Sequence, residues 1–137
     1  MKNMKGGLKK LYIAAFCIYM AAVAFLCFMN PSQLPEMDVK TFLGLPIDKV
    51  LHFLMFLPYP ILSSLSFITR GTGTLKNMTI LVVLIILGIG ISYGTEVIQA
   101  QTGYRSYDLG DFYADMTGIA AGTIFTVVYI AYTKLKK

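Results

Sequence analysis

Nine residues of this 137-residue chain have the types and spacing to do chemistry: Asp48, Lys49, His52, Glu96, Gln99, Arg105, Asp108, Asp111 and Asp115. Asp48 and His52 are spaced i, i+4, Lys49 and His52 i, i+3, and Glu96 and Gln99 i, i+3. Asp108, Asp111 and Asp115 are spaced i, i+3, i+7. Each set falls on one side of a helix where helical pairing extends to the loop ends. His52 with Glu96 or Asp111 has the makings of a general acid–base pair. Several carboxylates with one His also suit a hard divalent ion. Lys49, His52 and Arg105 are the types that meet phosphate; Glu96, Asp111 and Asp115 meet amines or sugar hydroxyls. No zinc site is expected, because there is one His and both cysteines, Cys17 and Cys27, lie in the first apolar run. No cofactor is expected. Thr102 and Ser106 lack a flanking nucleophile motif and read as loop residues.

A plainer role is open for several of these residues. Asp108 or Asp111 can cap the helix that follows, where an acid is favourable. Arg105 can pair with Asp108 or Asp111, with bidentate geometry available. His52 can donate a hydrogen bond to Glu96. One cap needs one residue, however, and does not need polar faces on three helices. The set as a whole therefore reads as a site, and Asp108 alone as a cap.

The elements that must position these residues are apolar. The chain is 56% hydrophobic and 14% charged, with a mean hydropathy of +0.66. That excludes an ordinary soluble domain of this size. Four runs approach the roughly 20 apolar residues that a membrane crossing needs: Leu11–Met29, Val50–Ile68, Thr79–Ile98 and Phe112–Tyr132. The expectation is an all-α integral membrane protein of one domain, residues 1–137, with four transmembrane helices in an antiparallel bundle. No internal repeat is evident. The first run is too long for a signal peptide and reads as a retained helix. Cys17 and Cys27, about 15 Å apart along it, cannot bridge each other and read as two buried thiols.

Local signals refine this picture. Pro58 and Pro60 should bend or unwind the second span, with Ser63, Ser64 and Ser66 satisfying the freed carbonyls. Gly118 and Gly122 form a small-xxx-small pair, and with Gly88, Gly90 and Gly94 they predict close packing of the third span on the fourth, or a homodimer contact. Asn77 is positioned to cap the third helix. Pro31, Pro35 and Pro46 disfavour a long helix in the first loop. Tyr104, Tyr107 and Tyr113 read as interfacial anchors.

Charge predicts orientation. Lys2, Lys5, Lys9, Lys10, Arg70, Lys76, Lys134, Lys136 and Lys137 fall on one side of the spans; Lys40, Lys49 and Arg105 fall on the other. Basic loops stay cytoplasmic, so both termini are expected inside. All seven acids lie in or beside the two loops expected outside. The net charge of +5 then belongs to the inner face and suits anionic lipid; no nucleic-acid partner is needed.

The ordered set also resembles a known family. "DKVLHF" at Asp48–Phe53, then "EVIQ" from Glu96 and "YRSYDLGDFYADMTGIAAG" up to Gly122, is similar to the VanZ-like family. Its pattern of Asp-Lys-x-x-His-Phe, Glu-x-x-Gln, Arg, Asp, Asp-x-x-x-Asn/Asp and Gly-x-x-x-Gly falls on Asp48, Lys49, His52, Phe53, Glu96, Gln99, Arg105, Asp108, Asp111, Asp115, Gly118 and Gly122. Asp115 stands where Asn is common and adds a carboxylate. The family is named after a protein associated with teicoplanin resistance in bacteria carrying glycopeptide-resistance genes. The resemblance implies a multi-pass protein of the bacterial cytoplasmic membrane. The leading expectation is an outward-facing polar pocket that binds a lipid head group, a lipid-linked cell-wall precursor or a lipoglycopeptide. A membrane enzyme acting on a lipid-linked substrate and a small transporter or flippase are the alternatives.

Overall fold

The structure is a computed structural model and describes residues 2–29, 41–69, 73–103 and 105–135. Expectations resting on Pro31, Pro35, Glu36, Asp38, Lys40, Arg70, Tyr104, Lys136 and Lys137 lie outside these residues. The chain is mostly helical, with α1 (Lys2–Phe28), α2 (Ile47–Phe56), α3 (Pro58–Phe67), α4 (Thr74–Gln101) and α5 (Leu109–Leu135). Among the described residues, four stretches are long and apolar enough to cross a membrane: Gly6–Phe28, Ile47–Phe67, Thr74–Gln101 and Leu109–Thr133. This is the pattern of a multi-pass membrane protein. A short hairpin, β1 (Thr41–Phe42) and β2 (Leu45–Pro46), pairs Thr41 with Pro46 and Phe42 with Leu45 just before α2. Its two turn residues, Leu43 and Gly44, both have positive φ (51° and 78°). A two-residue hairpin loop favours that geometry, and Gly44 adopts it without cost.

The helices run past the apolar cores predicted for them. Asp48 and Lys49 are therefore already in the first turn of α2, and Glu96 and Gln99 lie within α4. This places the charged residues in a fixed helical frame. Asn77 does not cap α4, because Gly73 occupies the N-cap and Asn77 is buried inside the helix. The second span divides at Leu57. Pro58 and Pro60 supply no N–H, so the ladder is interrupted, although Leu57 keeps helical angles and donates to the Phe53 carbonyl at 3.0 Å. The nearby serines do not serve the carbonyls of Leu54 and Phe56, which the prolines leave. Ser63 donates to Pro60 O, and Ser66 has Leu62 O and Tyr12 O of α1 within reach.

The glycines bring different helices together from those expected. A Cβ on Gly118 would lie 2.5 Å from Phe53 O, and one on Gly122 would strike Leu57 O and the Pro60 ring. A Cβ on Gly88 would meet the Tyr59 ring at 2.5 Å. The small residues of α5 and α4 thus admit the interrupted second span rather than each other, while Gly90 and Gly94 have nothing within 4 Å. Accordingly α5 packs most extensively on α2, then on α3 and α4, and α1 lies mainly on α3. Val23, Cys27, Phe56 and Ile119 form a small apolar core. Cys27 is buried as expected, but Cys17 is exposed. Large apolar side chains such as Ile18, Phe25, Ile86, Ile124 and Val128 point outward, as a lipid-facing surface requires.

Candidate functional site

Three helices present polar faces to one another. On α4, Ser92, Glu96 and Gln99 are spaced i, i+4, i+7 and all are buried. On α5, Asp111 and Asp115 stand one turn apart, followed on the same face by Gly118 and Gly122. On α2, Lys49 and His52 are one turn apart. The glycine contacts hold α5 against α2, so Asp111 and Asp115 come opposite Lys49 and His52.

The outer part is a lysine shared by three acids. Lys49 Nζ lies 3.2 Å from Asp48 Oδ2 and 2.5 Å from Asp111 Oδ1, and it also pairs with Asp108 Oδ2. Asp108 caps α5: its Oδ1 accepts from the Gly110 N–H at 2.7 Å, and its carbonyl accepts from Asp111 N–H at 3.1 Å. The Lys49 ammonium and then the Gly110 N–H hold the Asp108 carboxyl below the ordinary carboxylate range. Arg105 does not take the expected role; among the described residues it forms no ion pair with Asp108 or Asp111, and Lys49 replaces it there.

The inner part is buried. His52, Glu96, Asp111 and Asp115 are each no more than 5% exposed. His52 Nδ1 lies 2.9 Å from Asp115 Oδ1, and Ser92 donates to Asp115 Oδ2 at 2.7 Å. His52 Nε2 faces Asp111 Oδ2 at 3.5 Å, and Glu96 Oε1 is 3.9 Å from His52 Nδ1. The partner of His52 is thus Asp115, not the Glu96 considered from spacing. Among the described residues both Glu96 oxygens lack a hydrogen-bond partner; the Asp108 backbone N–H is directed at Glu96 but falls short of hydrogen-bond geometry. Asp115 stands between Ser92 and His52. The serine therefore donates to a carboxylate rather than to the imidazole, which is not the arrangement of a base-activated nucleophile.

Two contributors were missed from spacing. Ser92 sits one turn before Glu96, and that i, i+4 relation was the available signal. Helix α1 also reaches the cluster: Gln99 Nε2 donates to Cys27 O at 2.8 Å, and Tyr19 Oη donates to Met55 O at 2.6 Å. A backbone acceptor leaves no trace in residue types. A cavity of about 640 Å³ lies elsewhere, among Phe16, Tyr59, Phe67, Val83, Leu84 and Ile91, and its walls are apolar. Of the proposed interfacial tyrosines, Tyr107 and Tyr113 are exposed at this end.

Comparison with protein-family models, with curated proteins and with solved structures gave no match.

Proposed function

We propose that this chain is a VanZ-like protein of the bacterial cytoplasmic membrane. In this reading its four spans form an antiparallel bundle with both termini cytoplasmic, and the acidic cluster at the outer end binds the head group of a lipid-linked precursor or a lipoglycopeptide. Pairings at opposite ends support the antiparallel reading. Gln99 meets Cys27 at one end, where His52 meets Asp115, while Lys9 Nζ donates to Thr69 Oγ1 at the other. Orientation rests on the sequence, in which most basic residues fall on the side of the spans that carries Lys9.

The observation that carries the ligand class is the state of Lys49. Three carboxylates already engage it, so it is not free to meet phosphate. Asp48 and Asp108 keep nearly half of their side-chain surface exposed (45% each). The accessible rim is therefore acidic and suits an amine or sugar hydroxyls better than a phosphate.

Protein in nanodiscs, titrated with an amine-bearing lipoglycopeptide and separately with a lipid-linked cell-wall precursor, tests this. Saturable binding that falls at least tenfold in the Asp48→Asn/Asp108→Asn double variant is expected. Equal binding by the double variant, or none by either protein, overturns the reading. Chemical release of the head group would favour the enzyme alternative. A topology reporter fused at Tyr107 that reads as cytoplasmic would reject the orientation.

A further inference from the structure

We infer that His52, Glu96 and Asp111 form a binding site for one divalent transition-metal ion of the Zn²⁺ or Mn²⁺ class. The inference does not rest on the head-group reading, which concerns the exposed rim.

One donor atom from each of the three residues lies within 4.8 Å of the other two. With the imidazole neutral and Asp115 ionised, the 2.9 Å contact is a donation from His52 Nδ1–H to Asp115, which also accepts from Ser92. That leaves the Nε2 lone pair facing Asp111 Oδ2 at 3.5 Å. In that tautomer two acceptors face each other at this distance. Two donors bound about 2.1 Å from one ion at a tetrahedral angle stand about 3.4 Å apart, so the gap fits a shared ion. A carboxylate on the far nitrogen of a ligating histidine is the usual second-layer support of a metal site.

Glu96 is the independent pointer. It is 1% exposed, brings an oxygen within 4.8 Å of the other donors, and among the described residues has a hydrogen-bond partner on neither oxygen. An unpaired buried carboxylate is costly, and ionisable groups at membrane depth normally have partners. The nearby cations do not supply one. Lys49 reaches Asp48, Asp108 and Asp111, while His52 approaches Glu96 only to 3.9 Å and lies closest to Asp115. Glu96, Asp111 and Asp115 thus bring three carboxylates to one imidazole. A Glu96 oxygen already lies within 4.8 Å of the other two donors, so a small side-chain shift brings it onto a shared ion. One imidazole with two carboxylates is a mixed donor set that suits Zn²⁺, Mn²⁺ or Fe²⁺ better than Mg²⁺ or Ca²⁺. The neighbouring group of Asp48, Asp108 and Asp111 differs, since the Lys49 ammonium already sits among its oxygens.

The test is titration of chelator-treated protein in nanodiscs with Zn²⁺ alone and with Mn²⁺ alone, followed by calorimetry and electron paramagnetic resonance. One equivalent per chain is expected, with affinity reduced at least tenfold by Glu96→Gln and by His52→Ala, and about tenfold by Asp115→Asn, which acts through the histidine. Bound Mn²⁺ should show nitrogen hyperfine coupling from the imidazole. That signal is read on the unaltered protein and decides the matter if a variant does not fold. No equivalent of either ion, binding unchanged by Glu96→Gln, or bound Mn²⁺ without nitrogen coupling overturns the inference.

Discussion

Replacing Gly118 with Ala tests the interface that builds the site. The added Cβ would lie 2.5 Å from the Phe53 carbonyl oxygen and 3.1 Å from the Leu57 nitrogen. Both are backbone atoms of the second span and cannot swing aside as a side chain would. Ordinary contact requires α5 to retreat by about 1 Å. Overpacking of this kind costs about 1–3 kcal/mol, and the better helix propensity of Ala returns up to about 1 kcal/mol. The net expectation is a loss of about 1–2 kcal/mol. Gly90→Ala is the matched control, because nothing lies within 4 Å of its Cβ position; it should be neutral or gain up to about 1 kcal/mol. The two variants should then melt about 5–10 °C apart. The assay is thermal unfolding in detergent, read by a thiol-reactive fluorophore that reports exposure of buried Cys27 in a Cys17→Ser background. If the two variants melt within 2 °C of each other, the close approach of α5 to α2 is wrong.

Lys49→Met should release Asp108 toward the ordinary carboxylate range. A depressed folded value contributes stability above the unfolded pKa and loses it as pH falls through the folded value. The difference in melting temperature between wild type and variant should therefore be largest near neutrality and shrink below about pH 4; a pH-independent difference refutes it. Ser92→Ala removes a 2.7 Å donor from buried Asp115 and should cost about 1.5–3 kcal/mol, the usual worth of a hydrogen bond to a charged group. Stability in denaturant titration equal to wild type would show that the bond contributes nothing. A lipid-soluble maleimide should label Cys17 in the folded protein and Cys27 only after unfolding, as peptide mass mapping would show. Labelling of both cysteines in the folded state argues against the packing of α1.

Much of this arrangement was legible in the sequence because its signals are local. Length and hydropathy identify spans without knowledge of partners, and i, i+3 and i+4 spacing puts Lys49 with His52 and Asp111 with Asp115 on common faces. Asp108 as a cap likewise needs only its position before a helix. What failed depended on which helix meets which. Gly118 and Gly122 announce a close approach but not a partner, and the partner proved to be the proline-containing span rather than α4. Arg105 and Lys49 are equivalent as charges; only the docking of α2 on α5 shows that Lys49 takes the acids. Ser63, Ser64 and Ser66 were assigned to the nearest vacant carbonyls, whereas a hydroxyl in a helix more readily bonds its own preceding turn. The acceptor at Cys27 is a main-chain oxygen, invisible to any reading of side-chain type.

The contact of Gly118 and Gly122 with the broken second span also sets an axial scale. Phe53 meets Gly118 about one turn, and Leu57 meets Gly122 about two turns, along α5 from Asp115, which pairs with His52. The prolines and the glycines thus work as a pin and slot along the helix axes. If α5 slid by one turn of 5.4 Å, Ala114 would replace Gly118 at the Phe53 carbonyl, and its Cβ would meet the oxygen that Gly118 avoids. A one-turn slide the other way would set Gly122 at the Phe53 carbonyl but bring Thr126 against the Leu57 carbonyl, so the observed depth is the one that seats both contacts, and there the carboxylates of Asp111 and Asp115 come level with the imidazole. The helix break therefore acts as a ruler: it meters how deep two acids sit below the membrane surface.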